Sequence, residues 1–229
     1  AYEMLRSLVG SEMCIRDRMI VLAARPSMGK TSLAMNIVEN IALGKGGDHT
    51  KRPVGVFSLE MSALSLAFRM LCTSARISME SVMRGFVGAE KHHRLAVAAD
   101  NLSKATICID DSGSMDIVEL LGRARIMRKR FGVEIIVVDY LQLLHARETA
   151  PQGRQQETAT ISAYLKALAK ELQIPVLVLS QLSRAPDQRD KTGKPKLSDL
   201  RDSGAIEQDA DICLLYTSDA ADDLLCVDL

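Results

Sequence analysis

Met19-Ile-Val-Leu-Ala-Ala-Arg-Pro-Ser-Met-Gly-Lys-Thr31 is the stretch on which the fold turns. Its first six residues are apolar without a break and read as a buried strand. From Lys30 onward Leu33, Ile37 and Ile41 recur at helical spacing, and Gly44-Lys-Gly-Gly47 ends that helix. Between strand and helix stands Ala24-Arg-Pro-Ser-Met-Gly-Lys-Thr31, the P-loop pattern with Ala where the first Gly usually stands. Such a loop turns backbone N–H groups and a helix N-terminus toward phosphate oxygens. The phosphate cradle is therefore expected from Ala24, Arg25, Pro26, Ser27, Met28, Gly29, Lys30, Thr31 and Ser32. Lys30 reaches the β- and γ-phosphates, the Thr31 hydroxyl ligates Mg²⁺, and Gly29 lets the backbone come close. A chance Gly-Lys-Thr in an ordinary turn is the competing reading, and the strand and helix on either side count against it.

Outward from that stretch the pattern repeats. Strands are expected at 53–58, 106–109, 134–139 and 175–180, with a further one beginning at Asp211-Ile212. Helices are expected at 62–76, at 115–131 with Leu120, Ala124 and Met127 on one face, and at 156–172 with Ile161, Leu165, Leu168 and Leu172 inward. Residues 78–103 hold two more short helices, and the polar stretch 183–203 is loop. Strands that alternate with helices and are apolar on both faces imply a parallel sheet covered on both sides, an α/β fold.

Composition bounds the function. The 229 residues are 47% hydrophobic and 25% charged, ordinary values for a globular chain and too apolar for disorder. No apolar run approaches the roughly 20 residues of a membrane helix. Aromatics make up 3% and Trp is absent, which argues against a base-stacking platform.

The two ends read differently from the middle. Residues 7–18 have neither strand nor helix period and lack the basic start and apolar stretch of a signal peptide. Cys213-Leu-Leu-Tyr-Thr-Ser218 can be written TGT CTC TTA TAC ACA TCT. The reverse complement, read from its third base, encodes Met13-Cys-Ile-Arg-Asp17. Both ends thus resemble one sequencing-adapter element translated from opposite strands. The expected organisation is 1–18 adapter-like, 19–212 a single domain, and 213–229 adapter-like. The whole chain carries 29 basic and 29 acidic residues. Without the three basic and three acidic residues of 1–18 and the four acidic residues of 213–229, 26 basic and 22 acidic remain, a net charge of +4. Within 19–212 only Cys72 and Cys108 remain, in apolar settings that suit small core residues of a reducing compartment.

Further residues carry chemistry. Asp139 ends the Ile135-Ile-Val-Val run, so it sits beside the P-loop at the carboxyl edge of the sheet, where it can hold Mg²⁺. Glu60, in Phe57-Ser-Leu-Glu-Met61, is expected to end the second strand. It can activate the attacking water or serve as N-cap or first-turn acid of the next helix, and spacing does not choose between them. Gln181 ends the fifth strand and is either a γ-phosphate sensor or a plain strand-end residue. In 183–203, Arg184, Arg189, Lys191, Lys194, Lys196 and Arg201 outnumber the acidic residues, which suits either phosphate-backbone contact or a solvated loop. Arg123, Arg125, Arg128, Lys129 and Arg130 crowd one helix end and read as solvated or subunit-facing surface.

Taken together, Ala23-Ala-Arg-Pro-Ser-Met-Gly-Lys-Thr31, Phe57-Ser-Leu-Glu-Met61, Val138-Asp-Tyr-Leu-Gln142, Leu179-Ser-Gln-Leu-Ser-Arg184 and Ser198-Asp-Leu-Arg-Asp-Ser-Gly-Ala-Ile-Glu-Gln-Asp-Ala-Asp211 closely resemble the ATPase domain of the bacterial replicative helicase DnaB family, in the family's order. The resemblance implies a RecA-like P-loop fold, a homohexameric ring, and ATP- and Mg²⁺-driven movement along single-stranded DNA in the bacterial cytoplasm. It makes Lys30, Glu60 and Gln181 catalytic, Thr31 and Asp139 the Mg²⁺ side, and Arg201, Asp202 and Gly204 the DNA-facing loop. Ala at the first P-loop position also occurs in that family. The family's N-terminal helical domain and linker, which meet primase, are not in this chain. Its arginine finger and last strands are expected where the adapter-like 213–229 stands, so this chain is expected to lack unwinding activity by itself. Loader and primase contacts belong to regions outside it. The alternatives are another RecA-like hexameric ATPase, such as a phage or plasmid helicase or a strand-exchange protein, or a non-catalytic nucleotide-binding module.

Overall fold

The computed structural model describes residues 17–45, 49–85, 87–182, 200 and 204–216. The principal strands are β1 (Met19–Ala24), β2 (Val54–Ser58), β3 (Ile107–Asp110), β5 (Ile135–Asp139), β7 (Val176–Gln181) and β8 (Ile212–Tyr216). They form one six-stranded sheet in the order β3-β2-β5-β7-β1-β8, all paired in parallel. Two-residue strands β4 (Met115–Asp116) and β6 (Leu144–His145) pair separately. The helices are α1 (Lys30–Ala42), α2 (Ala63–Ala75), α3 (Met79–Met83), α4 (Ala89–Ser103), α5 (Ile117–Phe131), α6 (Arg154–Leu172) and α7 (Gly204–Asp209).

The period-2 geometry of a strand divides β1 between two cores. Met19, Val21 and Ala23 join Leu120, Ala124, Ile161 and Leu165 of α5 and α6 on one face. Ile20, Leu22 and Ala24 join Leu33, Ile37 and Leu66 of α1 and α2 on the other. The helices predicted from Leu33/Ile37/Ile41 and from Leu120/Ala124/Met127 bury those residues. In α6, Ile161, Leu165 and Leu168 are buried and Leu172 packs against the core.

Several boundaries differ from expectation. The second strand stops at Ser58, as its expected range 53–58 has it, so Glu60, also expected at its end, stands instead exposed on the turn that follows. The 3₁₀ turn Leu141–Leu143 and the β4–β6 pair follow no hydrophobic period that could announce them. The last strand continues to Tyr216, four residues past the boundary expected at 212. Ile20 to Ala24 of β1 align with Ile212 to Tyr216. Its entry is fixed by Asp211, which accepts the Met19 N–H (2.7 Å), pairs with Arg18 (2.9 Å) and meets Lys166 of α6. Of the basic stretch 183–203, only Leu200 is described, bridged to Leu182. The expectations for Arg201, Asp202 and the basic residues there lie outside the described residues, as do most of 1–18 and 213–229.

Candidate functional site

The strand order makes neighbours of the carboxyl ends of β2, β5, β7 and β1. Each of these four ends carries, or leads directly into, a residue singled out by sequence. Ser58 is level with Asp139, and Ala24 is level with Gln181. Lys30, Thr31, Glu60, Asp139 and Gln181 therefore lie along one edge of the sheet.

The loop after β1 has the backbone that phosphate binding needs. Ala24 is extended and fully buried as the last residue of β1, so its Cβ is accommodated. Ser27 (φ 64°) and Gly29 (φ 74°) are left-handed, a loop conformation that aims successive N–H groups into a concavity. Gly29 is the N-cap of α1, and no side chain caps that helix. A Cβ at Gly29 would meet nothing within 4 Å. The glycine is thus required by its φ and leaves open room at an uncapped helix N-terminus, where anions are favoured.

Beneath the loop, Thr31 Oγ1 donates to Asp139 Oδ2 at 2.7 Å. Asp139 is fully buried, and its other oxygen, Oδ1, is buried with no hydrogen-bond partner. Burial pushes the Asp139 carboxyl above its ordinary range, and the Glu60 carboxylate adds to that. The Thr31 hydroxyl, Lys30 and Arg69 oppose it. Burial pushes the Lys30 ammonium down, against Asp139 and Glu60. Lys30 Nζ lies 4.8 Å from the centre of the Tyr140 ring. A buried carboxylate with one unsatisfied oxygen and a hydroxyl on the other is a donor set of hard oxygens, which suits Mg²⁺.

Glu60 is held by its neighbours' backbone. Ser58 Oγ donates to the Met61 carbonyl (2.6 Å) and accepts the Met61 N–H (3.3 Å), while the Leu59 N–H donates to the Asp139 carbonyl (2.8 Å). The cap of α2 belongs instead to Ser62, whose hydroxyl accepts the Ser65 N–H, and the first turn holds no acidic residue. The Ala63 N–H is taken by Asp111. Glu60 is therefore not needed for capping.

One residue of this site was not singled out from sequence. Arg69, on α2, reaches across to Ser32 Oγ (3.2 Å) on the first turn of α1, and its Nε is buried without a partner. Its charge is felt at Asp139. An Arg on an amphipathic helix reads as solvated surface, and only the packing of α2 on α1 brings it here. Gly204, expected on a DNA-facing loop, is exposed and opens α7. The arginine cluster of α5 is engaged locally. Arg123 pairs with Asp110 and Glu119, Arg125 forks onto Glu171 of α6, and Arg128 donates to the carbonyls of Gly132 and Val133 at the helix end. Cys72 is buried and Cys108 half-buried, both as free thiols. Among the described residues no helix is long and apolar enough to cross a membrane.

Comparison with known proteins places these features. Residues 12–224 match the family model described as the DnaB-like helicase C-terminal domain. The chain is 44% identical over 205 residues to the replicative DNA helicase DnaB of Geobacillus stearothermophilus, covering 89% of this chain and 44% of that protein. It is 42% identical over 208 residues to the replicative DNA helicase DnaC of Bacillus subtilis (strain 168), covering 90% and 44%. The chain thus spans less than half the length of these curated relatives. Among solved structures, one described as an ATPase domain superposes with a TM-score of 0.80 at 34% identity, over 92% of this chain and 73% of that one. A DnaB-like replicative helicase, described with its interactions with primase, superposes with a TM-score of 0.80 at 35% identity, over 91% and 49%.

Proposed function

The chain belongs to the DnaB-like helicase C-terminal domain family, and from that premise we propose that it is the ATP-hydrolysing motor of a bacterial replicative DNA helicase. The observation that carries this reading is the Thr31–Asp139 pair under the left-handed Gly29 turn, with one Asp139 oxygen buried and unclaimed. A binding module without turnover has no use for a carboxylate such as Glu60 set beside it.

In this reading the N–H groups of residues 24–32 hold the triphosphate and Lys30 neutralises the β- and γ-oxygens. Gly29 admits the phosphate without a Cβ in the way. Thr31 and Asp139 would hold Mg²⁺, which when bound would supply charge neutralisation at the phosphates. Glu60, exposed and electrostatically coupled to Lys30 and Asp139, orients the attacking water and takes its proton. Gln181 senses the γ-phosphate from the end of β7. Arg69 holds the start of α1 through Ser32. Arg201, Asp202 and Gly204 meet the backbone of single-stranded DNA inside a homohexameric ring in the cytoplasm, so affinity falls with salt and depends little on base sequence. Primase and loader act through regions of the parent protein outside this chain. Residues 1–18 and 213–229 are read as translated adapter on their codon complementarity, and the DNA sequence across both junctions decides that point.

The test is equilibrium binding of a fluorescent ATP analogue with Mg²⁺. Lys30→Ala removes the charge that faces the β- and γ-oxygens and is expected to weaken binding at least tenfold with the fold intact. Undiminished binding by a folded Lys30→Ala chain overturns the assignment.

A further inference from the structure

Three residues after Asp139, Gln142 sits on the 3₁₀ turn and turns its side-chain amide to the end of β7. Nε2 donates to Ser180 Oγ at 2.9 Å, and Oε1 accepts the Gln181 N–H at 3.3 Å. The Gln181 N–H can only donate, so it fixes which end of the amide is oxygen. Gln142 thereby pins the main chain of the residue read above as the γ-phosphate sensor.

Gln142 is itself held from the far side. Its carbonyl accepts Arg154 Nη2 at 2.6 Å. Arg154 Nη1 donates to the Leu144 carbonyl (3.3 Å) and pairs with Glu157 Oε2 (2.6 Å). The other Glu157 oxygen accepts the Ala146 N–H at 3.1 Å and faces His145 Nδ1 at 3.4 Å. Glu157 is 6% exposed, and Ser180 not at all. Burial works to raise the Glu157 carboxyl, but the Ala146 N–H and Arg154 outweigh it and hold the group below its ordinary range.

Glu157 is buried and Arg154 one-third exposed; an ion pair taken largely out of water adds little net stability over well-packed apolar groups, and its best-attested use is to fix one arrangement. Here the pair spends its hydrogen bonds on main-chain atoms of 142, 144 and 146, and every link from Gln181 to Ala146 is made. Beyond Ala146 the chain passes through Arg147, which is exposed, to Gly153 at the start of α6. The side-chain hydrogen bonds given above for Gln142, Arg154 and Glu157 go to residues 142–181 and not to the P-loop or the Thr31–Asp139 pair.

We propose that Gln142, Arg154 and Glu157 are positioning residues that couple the Gln181 end of β7 to the segment Leu144–Gly153, so that a change at the nucleotide edge is transmitted to that segment. The proposal deepens the ATPase reading and rests on it for the role of Gln181. The coupling itself belongs to the ligand-free chain and is measurable there.

The experiment is residue-resolved amide hydrogen exchange on the full chain, with Val21 and Leu22 as core controls. Gln142→Ala is expected to speed exchange at Gln181 directly, and at Ala146 through Arg154 and Glu157, each at least tenfold, with the controls unchanged. Arg154→Lys keeps the charge but not the fork that spans Gln142 and Glu157, and is expected to speed exchange at Gln181 with the fold preserved. Exchange at Ala146 unaltered by Gln142→Ala, or at Gln181 unaltered by Arg154→Lys, overturns the coupling. Addition of Mg·ATPγS is expected to slow exchange at Ala146 in the wild type and not in Gln142→Ala. A wild-type chain that binds the nucleotide with no change at Ala146 also overturns it. Failure to bind nucleotide counts against the ATPase reading instead, and the ligand-free comparison still decides the coupling.

Discussion

Asp139 illustrates what burying a single carboxylate costs. Its carboxylate is removed from water, satisfied on one oxygen by Thr31 and left open on the other. Burial raises its folded pKa above the unfolded value, near 3.8. The contribution of Asp139 to the stability of the nucleotide-free chain is then fully present below the unfolded pKa and is lost as pH rises through the folded one, because the native state binds the proton more readily. Asp139→Asn keeps an acceptor for Thr31 and carries no charge to bury. It is expected to stabilise the nucleotide-free chain at neutral pH by on the order of 1 kcal/mol, the scale of one desolvated polar group, and to remove that loss. The same substitution is expected to abolish Mg²⁺ dependence of nucleotide binding. Urea unfolding at several pH values and a Mg²⁺ titration measure both; a variant less stable than wild type at neutral pH contradicts the argument. At this scale Lys30, Thr31 and Asp139 were legible because each stands at a fixed offset from a strand end. Arg69 and Gln142 were not, because their partners, Ser32 and the end of β7, are distant in sequence and meet only on folding.

At the level of elements, the turn between β2 and α2 separates two roles that sequence left joined. Ser62 caps the helix and Glu60 does not. Ser62→Ala is expected to cost about 1 kcal/mol of stability and to leave hydrolysis per folded molecule nearly unchanged. Glu60→Gln, on an exposed turn, is expected to shift stability by less than about 0.5 kcal/mol, to keep ATP binding, and to lose turnover in the ring-assembled protein. The reverse pattern in thermal melts and steady-state ATPase assays would return Glu60 to a structural role. Long helices were readable because a 3.6-residue period accumulates over many residues, as in α1, α5 and α6, and β1 was readable as an unbroken apolar run. The β4–β6 pair spans two residues per strand, and α7 six, too short for any period to register. Glu60 was misplaced by two residues because the apolar Leu59 follows Ser58 as if the strand went on, while the Ser58 hydroxyl already bonds Met61 and closes the turn.

Across the whole molecule, one strand order sets the site. Because β1 lies beside β7 and β7 beside β5, the left-handed loop after β1, the buried Asp139 and Gln181 share one edge. Lys30, burdened by desolvation, faces two carboxylates there, and Asp139 is itself destabilised by burial. The nucleotide-free domain therefore holds unfavourable buried charge at this edge, which on the proposed reading a bound Mg·triphosphate would relieve. Binding to the native state alone stabilises by RT ln(1 + [L]/Kd), about 2.7 kcal/mol at one hundred times Kd. For a chain of this size about 1 kcal/mol moves the midpoint by roughly 2–4 °C. Saturating Mg·ATPγS is accordingly expected to raise the melting temperature of the wild-type chain by about 5–11 °C. Asp139→Asn is expected to start higher and gain less, since the charge that the ligand complex would relieve is already gone. Lys30→Ala, binding at least tenfold more weakly, is expected to gain no more than about half as much, about 1.4 kcal/mol at the same ligand concentration. Differential scanning fluorimetry across a nucleotide series reads all three. An equal rise in the three proteins would mean that the nucleotide binds elsewhere, and that the shared strand edge is not the site.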